Sequence, residues 1–173
     1  MPTGSLIGAL NPLKSRTAVP DQLLLPTYQN QLRIIGRHLD VNDYRAICIL
    51  EVDGGMLVRA ANARRHEPEL LEFPDDAFPQ MVRDALSGRG RRKRNGKHSK
   101  LAPTGYEDLL RALGYELDQR LAKTITLHEC QNFFFIAGMA SAGHGSGSFA
   151  PFDMALDLAD VKSVLDAAFR RRG

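Results

Sequence analysis

The feature that most constrains the fold is a similarity of the chain to itself at an offset of 78 positions. Seven residues are identical in the 29 ungapped positions from Leu32 to Ala60, where ordinary residue usage gives roughly two by chance. The identical pairs are Leu32/Leu110, Arg33/Arg111, Gly36/Gly114, Leu39/Leu117, Asp40/Asp118, Ile47/Ile125 and Glu51/Glu129. The chain is therefore predicted to be an internal duplication of one small module.

Each copy is predicted to begin with a helix, because apolar residues recur at a spacing of three to four. These stripes are Tyr28, Leu32, Ile35 and Leu39, then Tyr106, Leu110, Leu113 and Leu117. Thr27 is the predicted N-cap of the first helix, and Thr104 with Glu107 is a predicted capping box for the second. Glycine is unfavourable inside a helix, so Gly36 and Gly114 predict close helix–sheet contact.

Three strands and a closing helix are predicted to follow in each copy. The strands are Arg45–Val52, Met56–Ala60 and Leu70–Phe73, then Lys123–Cys130, Phe133–Ala137 and Met154–Leu156. Asp53-Gly54-Gly55 and Gln131-Asn132 supply the hairpin turns. The last helices carry Phe78, Val82 and Ala85, then Val161, Leu165 and Ala168, with Asp76 and Asp157 as candidate N-caps.

The predicted fold class is α+β, with two small antiparallel sheets or one shared sheet covered by helices about a pseudo-twofold axis. The expected organisation is an N-terminal arm (1–24), module 1 (25–88), a basic linker (89–102) and module 2 (103–173). A module of about 65 residues buries only about 60% of its chain surface, so the two copies are expected to pack together.

Basic residues are concentrated in the linker, and the rest of the chain carries 16 basic residues against 20 acids. The linker cations are Arg89, Arg91, Arg92, Lys93, Arg94, Lys97 and Lys100. Such a segment attracts polyanions, so we expect it to bind the phosphate backbone of DNA or RNA with little sequence specificity, helped by Arg64 and Arg65. An acidic protein is the other partner it fits, and a solvated connector is the plainest alternative.

The loops after the second strands, 62–68 and 141–151, could form two lobes of one binding surface or be plain connections. The second contains His144 in a Gly/Ser-rich stretch, the only location at which an enzyme site is considered. The duplicated Arg33, Asp40 and Glu51 are interpreted as structural, with an Arg–Glu pair fastening helix to hairpin.

Three other groups have structural interpretations. His128, Glu129 and Cys130 cannot converge because neighbouring strand residues point to opposite faces, and Cys130 is expected to act as a small hydrophobe. His38 is expected to be exposed, so no metal site and no cofactor are predicted. The run 133–135 of three phenylalanines is assigned to the core or to inter-module contact rather than to base stacking.

The order helix–strand–strand–strand–helix resembles that of double-stranded-RNA-binding domains. In those domains the last helix begins with basic residues, whereas here Asp75, Asp76, Asp157 and Asp160 occupy the region, so no binding residues are transferred. Two cysteines without metal spacing, and the absence of an apolar run of about 18 residues, predict a cytoplasmic chain that does not enter a membrane.

The leading functional hypothesis is thus a non-enzymatic nucleic-acid-associated protein. The alternative is a protein-interaction adaptor or assembly subunit that uses the sheet faces and the apolar arm from Leu6 to Leu13, and homo-oligomers are possible. An enzyme acting near the Gly/Ser-rich loop is the third hypothesis.

Overall fold

The computed structural model describes residues 24–87, 105–143 and 147–157. It is an α+β fold with one antiparallel six-stranded sheet in the order β3-β2-β1-β4-β5-β6. The elements are α1 (Tyr28–Val41), β1 (Tyr44–Val52), β2 (Gly55–Asn62), β3 (Pro68–Pro74), a 3-10 turn (Asp75–Ala77), α2 (Phe78–Leu86), α3 (Tyr106–Gln119), β4 (Lys123–Glu129), β5 (Phe133–Ser141) and β6 (Phe149–Asp157). Of the two sheet arrangements expected, the structure has the shared sheet.

The two central strands join the halves of the sheet. β1 pairs antiparallel with β4, and Ile49 lies opposite Leu127, its equivalent at the 78-residue offset. From this pair each half extends outward as a simple meander, through β2 to β3 on one side and through β5 to β6 on the other. The predicted strands are all present, and the third strand of each half is longer than expected.

Both long helices pack on one face of the sheet, and their apolar stripes form the core with the strand residues facing them. Leu32 and Leu39 of α1, like Leu110 and Leu117 of α3, are fully buried. The strands contribute Ile47, Ile49, Ile125, Leu127, Val58, Phe134 and Ile136. The predicted helix stripes are thus confirmed as the core-facing sides of α1 and α3.

The local signals around the first helix and hairpin are confirmed. The side chain of Thr27 accepts a hydrogen bond from the amide of Asn30, 3.3 Å away, and so caps α1. Gly54 has φ +82°, the positive value that the hairpin turn requires. The predicted Thr104 capping box, the basic linker, His144 and the last helix of the second half all fall outside the described residues.

Two local predictions are wrong. Asp76 is not the N-cap of α2: it lies inside the 3-10 turn, and the cap position is Ala77, with no side-chain hydrogen bond. His38 is not exposed but half-buried, with its ring edge-on to Phe73 at 5.4 Å between centroids. Burial of the ring lowers the pKa of His38, because the charged form loses solvation.

The helical glycines mark helix–helix contact, not the helix–sheet contact expected from the sequence. A Cβ at Gly36 would lie 2.5 Å from the carbonyl oxygen of Tyr106, and one at Gly114 would lie 2.5 Å from that of Tyr28. The middle of each long helix therefore presses against the first turn of the other. A larger residue at either position would displace backbone atoms of the other helix. This explains why glycine is present at both positions although it is unfavourable inside a helix.

Candidate functional site

The charged residues shared by the two halves hold the halves together. Asp118, at the end of α3, accepts hydrogen bonds from the backbone amides of Tyr28 and Gln29, both at 3.0 Å. Asp40, at the end of α1, accepts from the amides of Tyr106 and Glu107, both at 2.9 Å. Each aspartate thus satisfies free amides in the first turn of the opposite helix, where a negative charge also complements the helix dipole.

Each central strand has a β-bulge near its start, and the two glutamates shared by the halves bind backbone amides beside these bulges. β1 shifts register between Arg45 and Cys48, and β4 does so between Lys123 and Thr126. Ala46 and Thr124, inside these bulges, have φ values of 53°, unusual for residues other than glycine. A bulge interrupts the ladder of backbone hydrogen bonds, so nearby amides need another acceptor.

Carboxylates from the opposite half supply that acceptor. The amide of Ile47 donates to Oε2 of Glu129, and the amide of Ile125 donates to Oε2 of Glu51, both at 2.9 Å. The same oxygens each accept a second hydrogen bond of 2.6 Å, from the hydroxyl of Tyr28 to Glu51 and from that of Tyr106 to Glu129. Burial, and then these bonds to carboxylates, raise the pKa of both tyrosines.

The predicted Arg33–Glu51 pair is therefore wrong in its partner. Arg33 Nε lies 3.3 Å from Oε1 of Glu107, on the other long helix, and Arg37 lies 3.8 Å from the same oxygen. A tyrosine, not an arginine, joins each helix to its hairpin. Each glutamate carboxylate already accepts a hydrogen bond from a backbone amide, so one further bond from a tyrosine hydroxyl is enough to hold it. The structural interpretation of these charges agrees with the contacts, whereas the expected contact does not.

The other side of the sheet carries a different set of side chains, which point away from α1 and α3. We call this side the open face. Its side chains, read from the strand register, include Arg45, Cys48, Leu50, Val52, Leu57, Arg59, Leu70, Glu72, Lys123, Thr126, His128, Phe133, Phe135, Ala137, Met139, Phe149, Asp153 and Ala155. Apolar side chains dominate its centre, while Glu72 and Asp153 lie on its two edge strands.

Several large apolar side chains on the open face are accessible. Leu50 is 41% exposed and Phe133 is 40% exposed, and Val52 and Leu70 are also exposed. Phe133 and Phe135 point to this face, so the expectation that the phenylalanine run belongs to the core holds only for Phe134, which is buried. Strand alternation predicted the separation of these rings, but not which side the helices would cover.

Cys48 and His128 are cross-strand neighbours on the open face, with Sγ 3.9 Å from Nε2. Desolvation raises the pKa of the Cys48 thiol, although the charge of Arg59 opposes this, so the geometry favours a neutral thiol over a nucleophilic thiolate. Glu129 points to Tyr106 on the helix side, which confirms that His128 and Glu129 diverge. No three His, Cys, Asp or Glu side chains in the described part of the chain are grouped to hold a metal ion.

No protein-family model matches the chain, and no curated protein and no solved structure is significantly similar to it. None of the helices within 24–87, 105–143 and 147–157 has the length and apolar character needed to cross a membrane.

Only two of the predicted nucleic-acid-binding residues can be placed. Arg64 and Arg65 are exposed in the loop between β2 and β3, where both amides bond to Oδ1 of Asn62. The guanidinium of Arg65 lies 3.4 Å from Glu69, which offsets part of its charge. The seven linker cations lie outside the described residues, so binding of nucleic acid through them stays a prediction.

The strand ends that flank the two loops predicted as lobes of one surface, 62–68 and 141–151, do not lie together. Because β1 and β4 run antiparallel at the centre of the sheet, the loop after β2 and the loop after β5 lie at opposite ends of it and on opposite edges. Two cavities beside α1 and α2 in the described residues hold only about 20 Å³ and 10 Å³. Small-molecule pockets usually measure about 300–1,000 Å³, so neither cavity can enclose such a ligand.

Proposed function

We propose that the protein is an interaction module that binds a protein partner through the open face of its sheet. The observation that carries this proposal is the accessibility of Leu50, Val52 and Phe133 on a regular sheet face. Burying such side chains on association removes apolar surface from water at about 25 cal/mol per Å². This is the adaptor hypothesis from the sequence, now assigned to a definite surface.

The size of the open face suits protein association. Six strands spaced about 4.8 Å apart span about 29 Å, and seven residues along a strand span about 24 Å. The resulting area of roughly 700 Å² is near the ~800 Å² that each partner contributes to a standard interface.

The open face is chemically asymmetric. Positions 78 apart differ there, with Cys48 against Thr126, Leu50 against His128 and Arg59 against Ala137. The exposed acids Glu72 and Asp153 lie on its edge strands, whereas its cations Arg45, Arg59 and Lys123 lie on the inner strands β1, β2 and β4. The partner chemistry that fits is a single segment with apolar side chains for the centre and a lysine or arginine for an acidic margin.

Selection from a displayed library of random peptides tests this proposal. Wild type should enrich peptides that combine leucine, isoleucine or phenylalanine with lysine or arginine. The variant Leu50→Asp with Phe133→Asp should lose those peptides, because it places charge in the apolar centre. Leu86→Asp is the matched control, since Leu86 is 46% exposed but lies on α2, on the helix side.

Two results would contradict the proposal. One is the enrichment of peptides that bind wild type and the open-face variant equally, because the binding surface would then lie elsewhere. The other is the failure of both wild type and Leu86→Asp to enrich any sequence above the background of a selection without protein.

We also infer that the chain arose by internal duplication, as the sequence predicted. Four sets of contacts support this, because each occurs twice at an offset of 78: the aspartate caps, the glutamate–amide bonds, the tyrosine–glutamate bonds and the glycine contacts. The two halves would then be related by a pseudo-twofold axis through the pair Ile49/Leu127.

Nucleic-acid binding through residues 89–100 is a second candidate function. It is favoured by the seven cations of that segment, which has no acid, in a chain with a formal net charge of +3. If all seven met DNA phosphates, log affinity would fall against log salt with a slope near −6, about −0.9 per contact. Fluorescence anisotropy with labelled DNA and RNA should show this slope, and a Gly/Ser replacement of the segment that bound equally well would contradict the mechanism.

A further inference from the structure

The chemistry of the open face fits a segment with apolar side chains next to cations, and the chain itself contains such a segment. Residues 6–16 carry Leu6, Ile7, Ala9, Leu10 and Leu13, then Lys14 and Arg16, with no acid. We propose that this N-terminal segment occupies the open face of its own molecule, so that an outside partner must displace it. The inference rests on the proposed function, since it names a competitor for the same surface.

The point at which the described chain begins makes this arrangement reachable. Leu25 is fixed beside the first turn of α1, because its carbonyl oxygen accepts from the amide of Thr27 at 2.8 Å and from Nδ2 of Asn30 at 3.0 Å. In the same turn, the Tyr28 hydroxyl bonds to Glu51, next to Val52 at the end of β1. The chain therefore enters the body on the helix side of the sheet, beside the end of β1, and the segment must pass round that end to reach the open face.

The length of the connection agrees with the position of the apolar residues. Leu13 lies eleven positions before Leu24, and an extended chain covers about 3.3 Å per position, so Leu13 can lie up to about 36 Å from Leu24. That distance exceeds the ~29 Å width of the six strands. Leu6 to Leu13 can thus reach Leu50 and Phe133, while Lys14 and Arg16 can reach the acidic margin at Glu72 or Asp153.

A synthetic peptide of residues 1–18, labelled with a fluorophore, tests the inference against full-length protein. The variant Leu6→Ser with Leu10→Ser removes two apolar anchors, so its open face should be free. If the segment covers the face nine-tenths of the time, the peptide should bind this variant about tenfold more tightly than wild type. Asn11→Ser, a polar change in the same segment, should bind like wild type.

Alkylation of Cys48 gives a second readout that needs no peptide. Cys48 lies on the open face, so its rate of reaction with iodoacetamide, followed by peptide mass, should rise in the same proportion in the Leu6→Ser, Leu10→Ser variant. Leu50→Asp in the wild-type chain should also raise this rate, because it weakens docking without touching the segment.

The remaining outcomes separate this inference from the proposed function. Equal peptide affinity for wild type and variant, with unchanged Cys48 alkylation, overturns the inference but leaves the open face as a binding surface. Failure of the peptide to bind either form also overturns it, and the proposed function then falls only if library selection fails as well. A dimer that dissociates in the Leu6→Ser, Leu10→Ser variant overturns the intramolecular arrangement, because the segment would then occupy a second copy.

Discussion

The two faces of the sheet differ in how similar their residues are between the two halves. On the helix-covered face, residues 78 apart are identical or alike, as in Ile47/Ile125, Ile49/Leu127 and Glu51/Glu129, and they make matching contacts. On the open face, the alternating residues of the same strands differ, as in Leu50/His128 and Cys48/Thr126. One strand therefore carries two kinds of sequence, distinguished only by parity.

This difference separates what folding requires from what folding permits. Polar residues shared by the two halves act across the boundary between them: Asp40, Asp118, Glu51, Glu129 and Arg33 all bond to the opposite half. Changing one of the four acids leaves a donor on the other half without its acceptor. The open-face side chains have no such reciprocal role, so they can differ between the halves and serve a partner.

The largest loss of stability is expected at the helix crossing. Gly36→Ala or Gly114→Ala should each lower the free energy of unfolding by about 3 kcal/mol, because the new Cβ would meet carbonyl oxygen and Cα atoms that only a backbone shift can move. Urea denaturation measures the effect. Gln119→Ala, at an exposed position of α3, is the control and should change stability by less than about 0.5 kcal/mol. A neutral Gly36→Ala would mean that the long helices do not cross so closely.

A smaller loss is expected at the bulges. Glu51→Gln keeps the shape of the side chain but removes the charge that accepts from the Tyr28 hydroxyl and the Ile125 amide. Hydrogen bonds to charged groups contribute about 1.5–3 kcal/mol, so we expect a loss of about 2 kcal/mol in urea denaturation. Glu72→Gln, an exposed glutamate on the open face, should be neutral. Equal losses in the two variants would erase the distinction between the faces.

Much of the fold could be predicted from the sequence because the helix-covered face repeats. The apolar stripes of α1 and α3 identified the core, and strand parity put Glu51 in the inward-facing row. The similarity at an offset of 78 identifies the residues that both halves share, but it does not identify the atoms that each residue contacts. Arg33 and Glu51 were therefore paired within one half, whereas each contacts the other half in the structure.

The open face could not be predicted for a related reason. Alternation separates Phe134 from Phe133 and Phe135, but the covered side depends on the shared sheet and on where both helices cross it. Sequence similarity between the halves also gives no signal for a surface on which the halves differ. The functional hypothesis from the sequence concerned the linker, because a high density of charge can be recognised in a sequence. The exposed apolar area of a sheet face can be recognised only once the fold is known.

A pH effect is expected at one histidine on the helix-covered side. Burial lowers the pKa of His38 below the ~6.5 of an unfolded chain, so the unfolded state takes up a proton first as the pH falls. The stability associated with neutral His38 is complete above about pH 6.5 and is lost as the pH falls toward the lowered pKa. Urea denaturation between about pH 7 and 5 should therefore show a shallower decline for His38→Gln. Parallel curves for the two proteins would place His38 in solvent.

The smallest effect on stability is expected where the effect on binding is largest. Leu50→Thr and Phe133→Thr introduce a β-branched residue that suits a strand and remove exposed apolar area, so each should change the free energy of unfolding by no more than about 0.5 kcal/mol. The same changes should weaken any library-selected peptide, because that area is buried only in the complex. Ile49→Thr, one position away on β1 but fully buried, should reverse the pattern with a large loss of stability. A destabilised Leu50→Thr would show that folding already buries this leucine, and the open face would then belong to the core rather than to a partner.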